Sequence, residues 1–113
     1  MATSQDYTQY VCDQIRDTGV IRYRKMFGEY MIYVNDKPIL LVCDDTVFVK
    51  MIPEIETLMK DSETGKPYEG AKEHYILDID NREFSERIIN ILEPIIPIPK
   101  PKKRKSKDPL NTR

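Results

Sequence analysis

The sequence predicts an α+β fold of two layers, with helices packed on one antiparallel sheet of about five strands, in the order α-β-β-β-β-α-β-α. Near the two ends of residues 1–96, apolar residues recur at helical spacing, which predicts amphipathic helices. Four extended, β-branched or aromatic segments follow one another between residues 20 and 51. Their links are only a few residues long, so the strands pair antiparallel, because a parallel crossover needs a dozen residues or more.

The first helix is predicted over residues 4–17. Its apolar face repeats at four-residue steps and contains Tyr7, Val11 and Ile15. Thr3 or Ser4 is a candidate N-cap, since a side-chain hydroxyl there accepts an unpaired backbone N–H. Gly19 fits the left-handed backbone position that ends many helices.

Four strands are then predicted at residues 20–25, 30–34, 39–43 and 46–51. Asn35-Asp36 and Asp44-Asp45 fit two-residue hairpin turns between them. Pro38 has no backbone N–H to give to a ladder, so we expect it at a strand start or on a sheet edge.

The remaining elements are a short helix over residues 53–60, a loop over 61–73, a fifth strand over 74–79 and a last helix. Asp80 and Glu83 resemble a capping box at the start of that helix. Its apolar stripe contains Phe84, Ile88, Ile91 or Leu92, and Ile95.

The net charge of −1 conceals a strong asymmetry along the chain. Residues 97–113 hold seven cations against Asp108, a net charge of +6, whereas residues 1–96 hold 11 basic and 18 acidic side chains, a net charge of −7. We therefore predict a folded domain over residues 1–96 and a disordered Pro- and Lys-rich tail over 97–113, of the kind that serves as an interaction tail.

Composition narrows the class of protein. Apolar residues make up 40% and charged residues 33% of the 113 residues, as in ordinary globular domains. The longest apolar run, residues 39–43, is far shorter than the roughly 20 residues of a membrane span. The N-terminus lacks the basic and apolar regions of a secretory signal, and two cysteines exclude a disulfide-stapled scaffold. We expect a cytoplasmic protein with no membrane contact.

The sequence predicts no catalytic residues, no metal site and no cofactor. His74 is the only histidine, and Cys12 and Cys43 form no C-x-x-C pair. Asp44-Asp45 lacks the further oxygen ligands of a calcium loop and is explained by a turn. An uncharacterised enzyme that uses His74 or Cys43 stays as an alternative.

Two cationic features are candidates for binding an anionic partner. In alternating strands, Arg22 and Arg24 share one sheet face, and Phe48 and Lys50 share one face of the fourth strand. Such a face could stack bases or grip an anion, although cations on the wet side of a sheet are also common. The second feature is the tail, whose nucleic-acid-binding candidates are Lys100, Lys102, Lys103, Arg104, Lys105 and Lys107. Such a tail binds phosphates without sequence preference, or only solubilises the domain.

The segment from Arg24 to Tyr30, RKMFGEY, resembles the N-terminal domain of the TfoX/Sxy family of bacterial regulators of competence for DNA uptake. Further matching pieces follow in order: the opening helix, Cys43-Asp44-Asp45, Val47–Lys50, Pro67–Lys72 and Asp80–Phe84. The chain is most similar to short, single-domain members that end in a Pro/Lys-rich tail.

The resemblance implies a secretion-chaperone-like α+β fold and a non-enzymatic transcription co-regulator that acts through a protein partner. It assigns the interaction to the motif residues Arg24, Lys25, Met26, Phe27, Gly28 and Lys50. Direct non-specific nucleic-acid binding through the tail and the sheet face is the alternative function. The sequence leaves open whether the chain forms a homodimer.

Overall fold

A computed structural model describes residues 5–26 and 29–99, and it confirms the two-layer α+β fold. The described helices are α1 (Gln5–Gln14), α2 (Pro53–Glu56) and α3 (Arg82–Leu92), with a 3-10 turn at Arg16–Thr18. The strands are β1 (Ile21–Met26), β2 (Glu29–Val34), β3 (Lys37–Cys43), β4 (Thr46–Lys50), β5 (Thr64–Gly65) and β6 (His74–Ile76). None of the helices in this part of the chain is long and apolar enough to cross a membrane.

One six-stranded sheet has the order β1-β2-β3-β4-β6-β5, and every pair is antiparallel. The predicted meander of the first four strands is confirmed. The strand β6 returns beside β4, and β5 forms on its far side within the predicted loop 61–73. With only two residues, β5 carries no periodic signal and exists through its pairing with β6.

Both predicted two-residue turns are present. Asn35 and Asp36 have φ of 52° and 68°, and Asp44 and Asp45 have φ of 52° and 54°. A turn with positive φ at both central positions matches the right-handed twist of the flanking strands, and Asn and Asp tolerate it better than most residues. These side-chain types therefore set the hairpin register.

The start of β3 contains an irregularity. Tyr33 lies opposite Pro38 and Ile32 opposite Leu40, so Ile39 is an extra residue on this strand. Pro38 is the second residue of β3, at the strand start as predicted. Ile39 and Leu40 are consecutive and both buried, as expected where a bulge breaks the alternation of faces.

The core lies between one face of the sheet and the helices. We call this the inner face; its buried residues are Tyr30, Ile32, Val34, Leu40, Val42, Val47, Val49 and Tyr75. Against them pack Val11 of α1 and Ile15 just after it, Ile55 of α2 and Met59 in the turn after it, and Ile88, Ile89 and Leu92 of α3. The opposite side, the outer face, carries no described helix.

Several element ends differ from the sequence prediction. Gly19 has φ 154° and ψ −160°, so it does not occupy the left-handed helical region. Asn81, rather than Asp80, caps α3, because its side chain accepts the Phe84 N–H at 3.1 Å. The second helix ends at Glu56, and β6 ends at Ile76. The cap candidates Thr3 and Ser4 lie outside the described residues.

Candidate partner-binding surface

The outer face gathers the predicted sheet residues. Residues opposite each other in neighbouring strands share a face, so the register makes one row across the sheet: Arg24, Met31, Leu41, Phe48 and Ile76. Lys50 lies two residues beyond Phe48 on the same face. The predicted pairings of Arg22 with Arg24 and of Phe48 with Lys50 are therefore both on the outer face. Arg24 and Phe48 are separated by three strand spacings, about 14 Å, and Lys50 lies about 7 Å further along β4.

An apolar groove lies on this face. Two adjoining hollows of about 450 and 460 Å³ share Met31, Leu41 and Tyr68. We call the surface of Met26, Met31, Leu41, Phe48 and Tyr68 the outer groove. Tyr68 is 52% exposed, whereas Phe48 is only 7% exposed, so Phe48 offers no open ring on which a base could stack.

His74 supports one end of the outer groove. Its ring meets Phe48 edge-on with centroids 6.4 Å apart, and its Nδ1 lies 2.8 Å from the Lys72 carbonyl oxygen. It pairs across the sheet with Lys50. These contacts give His74 a packing role between Phe48 and the segment that carries Tyr68.

The cations of the outer face differ in their partners. Arg22 forms an ion pair with Asp36 at 2.7 Å, and both side chains are mostly exposed. Arg24 and Lys50 are exposed on the outer face, and Lys25 is exposed on the opposite face of β1; no described acidic side chain pairs with any of the three. The outer face thus presents unpaired cations at Arg24 on the edge strand β1 and at Lys50 at the end of the interior strand β4, although residues 1–96 are negative overall.

The C-terminal segment reaches the same part of the sheet. Pro99 lines a hollow with Arg22, Arg24 and Tyr33, and it also lines a second hollow with Pro38 and Lys50. It is the last described residue, and the sequence continues into Lys100 and the basic tail. The motif residues Phe27 and Gly28 and all six tail candidates lie outside the described residues.

Neither cysteine has the features of an activated nucleophile. Burial, with a smaller contribution from Asp13, raises the pKa of Cys12 to about 11. Burial and the neighbouring Glu29 raise the pKa of Cys43 to about 12. Within residues 5–26 and 29–99, no three His, Cys, Asp or Glu side chains are grouped so that they could hold a metal ion.

Comparison with known proteins assigns the chain to a family. The sequence model of the family described as the TfoX N-terminal domain matches residues 13–82. The chain belongs to this family. The TfoX match begins within α1 and ends at Arg82, the first residue of α3, so it includes every described strand and the whole outer groove.

A relative extends the similarity along the chain. The "Uncharacterized 12.7 kDa protein in trpE 5'region" of Spirochaeta aurantia is 32% identical over 111 residues, which covers 96% of each chain. The resemblance to short TfoX-domain proteins is confirmed. Membership of the TfoX family points to a regulatory module rather than a catalytic one.

The sequence did not assign Tyr68 to a site, and it considered His74 only for the enzyme alternative and not for this surface. Tyr68 lies in the predicted loop, and its place on the outer groove depends on the path of residues 66–73 over the sheet. The available sequence signal for Tyr68 was the dipeptide Pro67-Tyr68, in which an aromatic residue follows a proline inside an otherwise polar loop. Pro67 is buried although Tyr68 is exposed, which anchors that loop.

Proposed function

We propose that this protein is a non-enzymatic co-regulator of transcription that binds a protein partner on its outer face while its basic tail touches nucleic acid. The observation that carries the proposal is the outer groove, an apolar surface that no described helix covers. Apolar patches rimmed by polar groups on a small domain mark interaction sites.

The composition of the surface favours a protein over a small molecule. Met26, Met31 and Leu41 are partly exposed, and exposed cations lie at both ends of the surface, at Arg24 and Lys50. An apolar centre with a charged rim is the usual anatomy of a protein interface. Methionine side chains adapt to different partner shapes, which suits a regulatory contact.

Complementation tests this proposal in the organism that encodes the protein. We expect deletion of the gene to change a set of transcripts and the wild-type gene to restore it. Leu41→Lys and Tyr68→Ser, both on the outer groove, should fail to restore it while remaining folded by circular dichroism. Val20→Ser is the matched control, because Val20 is 67% exposed and lies off the groove. Full restoration by both groove variants would remove the outer face from the proposal.

Direct nucleic-acid binding is the second candidate, and the position of Pro99 between the Arg24 and Lys50 hollows favours it. Pro99 is the last described residue before the basic tail, and it lies on the side of the sheet that holds the exposed cations Arg24 and Lys50. With random duplex DNA, the full chain should show log K falling against log salt with a slope of about −4 to −5.

Two full-length variants separate the two cationic regions in that titration. A tail variant with its six candidates changed to Gln should lose most of the slope. Arg24→Gln with Lys50→Gln should reduce it further only if the sheet face also contacts phosphates. No binding by the wild-type chain at low salt would leave the protein-partner proposal alone.

A further inference from the structure

The strand β1 has a free edge. It pairs only with β2, and no described strand lies on its other side. The Asn35 N–H donates to the Val20 carbonyl at 2.8 Å, so Val20 and Asn35 form a hydrogen-bonded pair at the end of this ladder. Such pairs alternate along an antiparallel ladder, so Arg22 and Arg24 bond to β2 while Ile21, Tyr23 and Lys25 direct their N–H and C=O groups outward.

The side chains of this edge are cationic. Between Ile21 and Met26, β1 contains three cations and no acidic residue, and all three cations are exposed. Arg22 and Arg24 both lie on the outer face, with Tyr23 between them in the sequence. Arg22 holds Asp36 in a surface pair that is worth little and is easily exchanged for another carboxylate. Arg24 has no acidic partner among the described residues.

A second copy of this chain fits the edge poorly in the register that uses most of β1, which is centred on Tyr23. Twofold antiparallel pairing through the outward groups of Tyr23 sets Tyr23 opposite its own copy. Arg22 then lies directly opposite the Arg24 of the other copy, twice, on one face. Like charges in opposed positions destabilise a sheet pair, so self-pairing in this central register is disfavoured.

We infer that the β1 edge binds an extended acidic segment of a partner protein, which adds a seventh strand to the sheet. Outward N–H and C=O groups of Ile21, Tyr23 and Lys25 supply the main-chain hydrogen bonds of such an addition. Carboxylates of the partner lie opposite Arg22 and Arg24 on the outer face. This inference rests on the proposed function, since it states how the protein partner is held.

The side-chain pattern of the partner follows from the register. The residue between its two acids lies opposite Tyr23, which is partly buried and packs edge-on against Tyr30 with ring centroids 5.5 Å apart. An apolar side chain suits that position. The recognised segment therefore reads acid, apolar, acid, and the pattern is the same for either strand direction.

Amide hydrogen exchange on the wild-type full chain gives the most direct test. The probe is a synthetic peptide with alternating acid and valine residues. Binding should protect the amides of Ile21, Tyr23 and Lys25 and leave those of Arg22 and Arg24 unchanged, since the latter already bond to β2. A peptide of the same composition with its acids grouped together is the control. Equal protection by both peptides, or none by either, would overturn the inference.

Three variants test the contacts by fluorescence anisotropy with the same peptide. Arg22→Gln with Arg24→Gln should weaken binding about tenfold, which is the loss of two exposed ion pairs. Lys25→Pro removes an outward N–H without touching the β1–β2 bonds, and Lys25→Gln removes only the charge. Lys25→Pro should bind roughly three- to tenfold more weakly than Lys25→Gln, the value of one hydrogen bond. Equal binding by these two would contradict strand addition.

A competition experiment with a single-stranded oligonucleotide tests whether Arg22 and Arg24 bind a nucleic acid instead of an acidic peptide. If it competes with the peptide, depends on Arg22 and Arg24 and produces no alternating protection, the edge is a phosphate-binding surface and the inference is wrong. Failure here leaves the proposed function testable, because the transcript assay with Leu41→Lys depends on the outer groove and not on Ile21, Tyr23 or Lys25.

Discussion

The ammonium of Lys37 lies 3.1 Å from the carboxylate of Glu93 and donates to the Glu93 backbone carbonyl at 2.6 Å. Asn35 donates to the same carboxylate at 3.2 Å. Lys37 opens β3, and Glu93 directly follows α3, so these bonds tie the β2–β3 turn to the C-terminal end of the last helix. Hydrogen bonds from Asn35 and then from Lys37 hold the pKa of Glu93 below its usual 4.5.

This arrangement predicts acid sensitivity. Because folding lowers the pKa of Glu93, its contribution to the free energy of unfolding is complete above pH 4.5 and is lost as the pH falls through the lower, folded value. Glu93→Gln should therefore unfold at a lower temperature than wild type at neutral pH, and the gap should narrow in acid. Thermal unfolding across that range checks this, with the exposed Glu56→Gln as control. A gap that stays constant with pH would contradict the role of the charge.

Gly19 is predicted to be intolerant of a side chain. A Cβ there would lie 2.7 Å from both Nδ2 and Oδ1 of Asn35, whose Oδ1 accepts the Val20 N–H at 2.9 Å. Gly19→Ala adds backbone strain at φ 154° to this clash, so we expect it to lower the free energy of unfolding by about 2 kcal/mol. Urea denaturation measures the loss.

Gly70 offers a matched control for that substitution. Its φ is also positive, at 90°, but no heavy atom lies within 4 Å of an added Cβ. Gly70→Ala therefore reports backbone strain alone and should cost less than Gly19→Ala by about 1 kcal/mol. Equal costs would show that Asn35 moves aside freely and that its bond to Val20 contributes little.

The cap of α3 is a third test. Asn81→Ala removes the acceptor for the Phe84 N–H and should cost about 1 kcal/mol, or a fall in Tm of about 5 °C. Asn81→Ser keeps an acceptor and should retain most of the stability. Asp80→Ala should affect α3 less, since Asp80 accepts a hydrogen bond from Tyr10 at 2.5 Å rather than capping the helix. The reverse order would restore Asp80 as the cap.

Local signals made most of the fold predictable. Asn-Asp and Asp-Asp turns between extended runs indicate hairpins wherever they occur, so the β1–β4 meander follows from neighbouring residues. In contrast, β5 consists of Thr64 and Gly65 and forms only because Tyr75 and His74 come to lie beside them. No periodic pattern in two residues reports such a distant contact.

The candidate site shows the same division. Alternation along the strands places Arg22 with Arg24 and Phe48 with Lys50, and the structure puts both pairs on the outer face. The depth of Phe48 was not predictable, because Tyr68 and His74, which lie beside it, come from a later part of the chain. The free edge of β1 likewise depends on the strand order of the whole sheet.

Slow thiol chemistry is the last prediction and bears on the enzyme alternative. With pKa values raised to about 11 for Cys12 and about 12 for Cys43, almost no thiolate exists at neutral pH, and both side chains are buried. Both should react with a disulfide reagent at least about 100-fold more slowly than a small free thiol. In guanidinium, where the chain is unfolded, both thiols should react at the ordinary rate. The variants Cys12→Ser and Cys43→Ser assign each kinetic phase to one cysteine. A fast phase at Cys43 in the folded protein would support the enzyme alternative with Cys43 as its nucleophile. Slow reaction at both cysteines would argue against any thiol-based enzyme and leave the regulatory proposal in place.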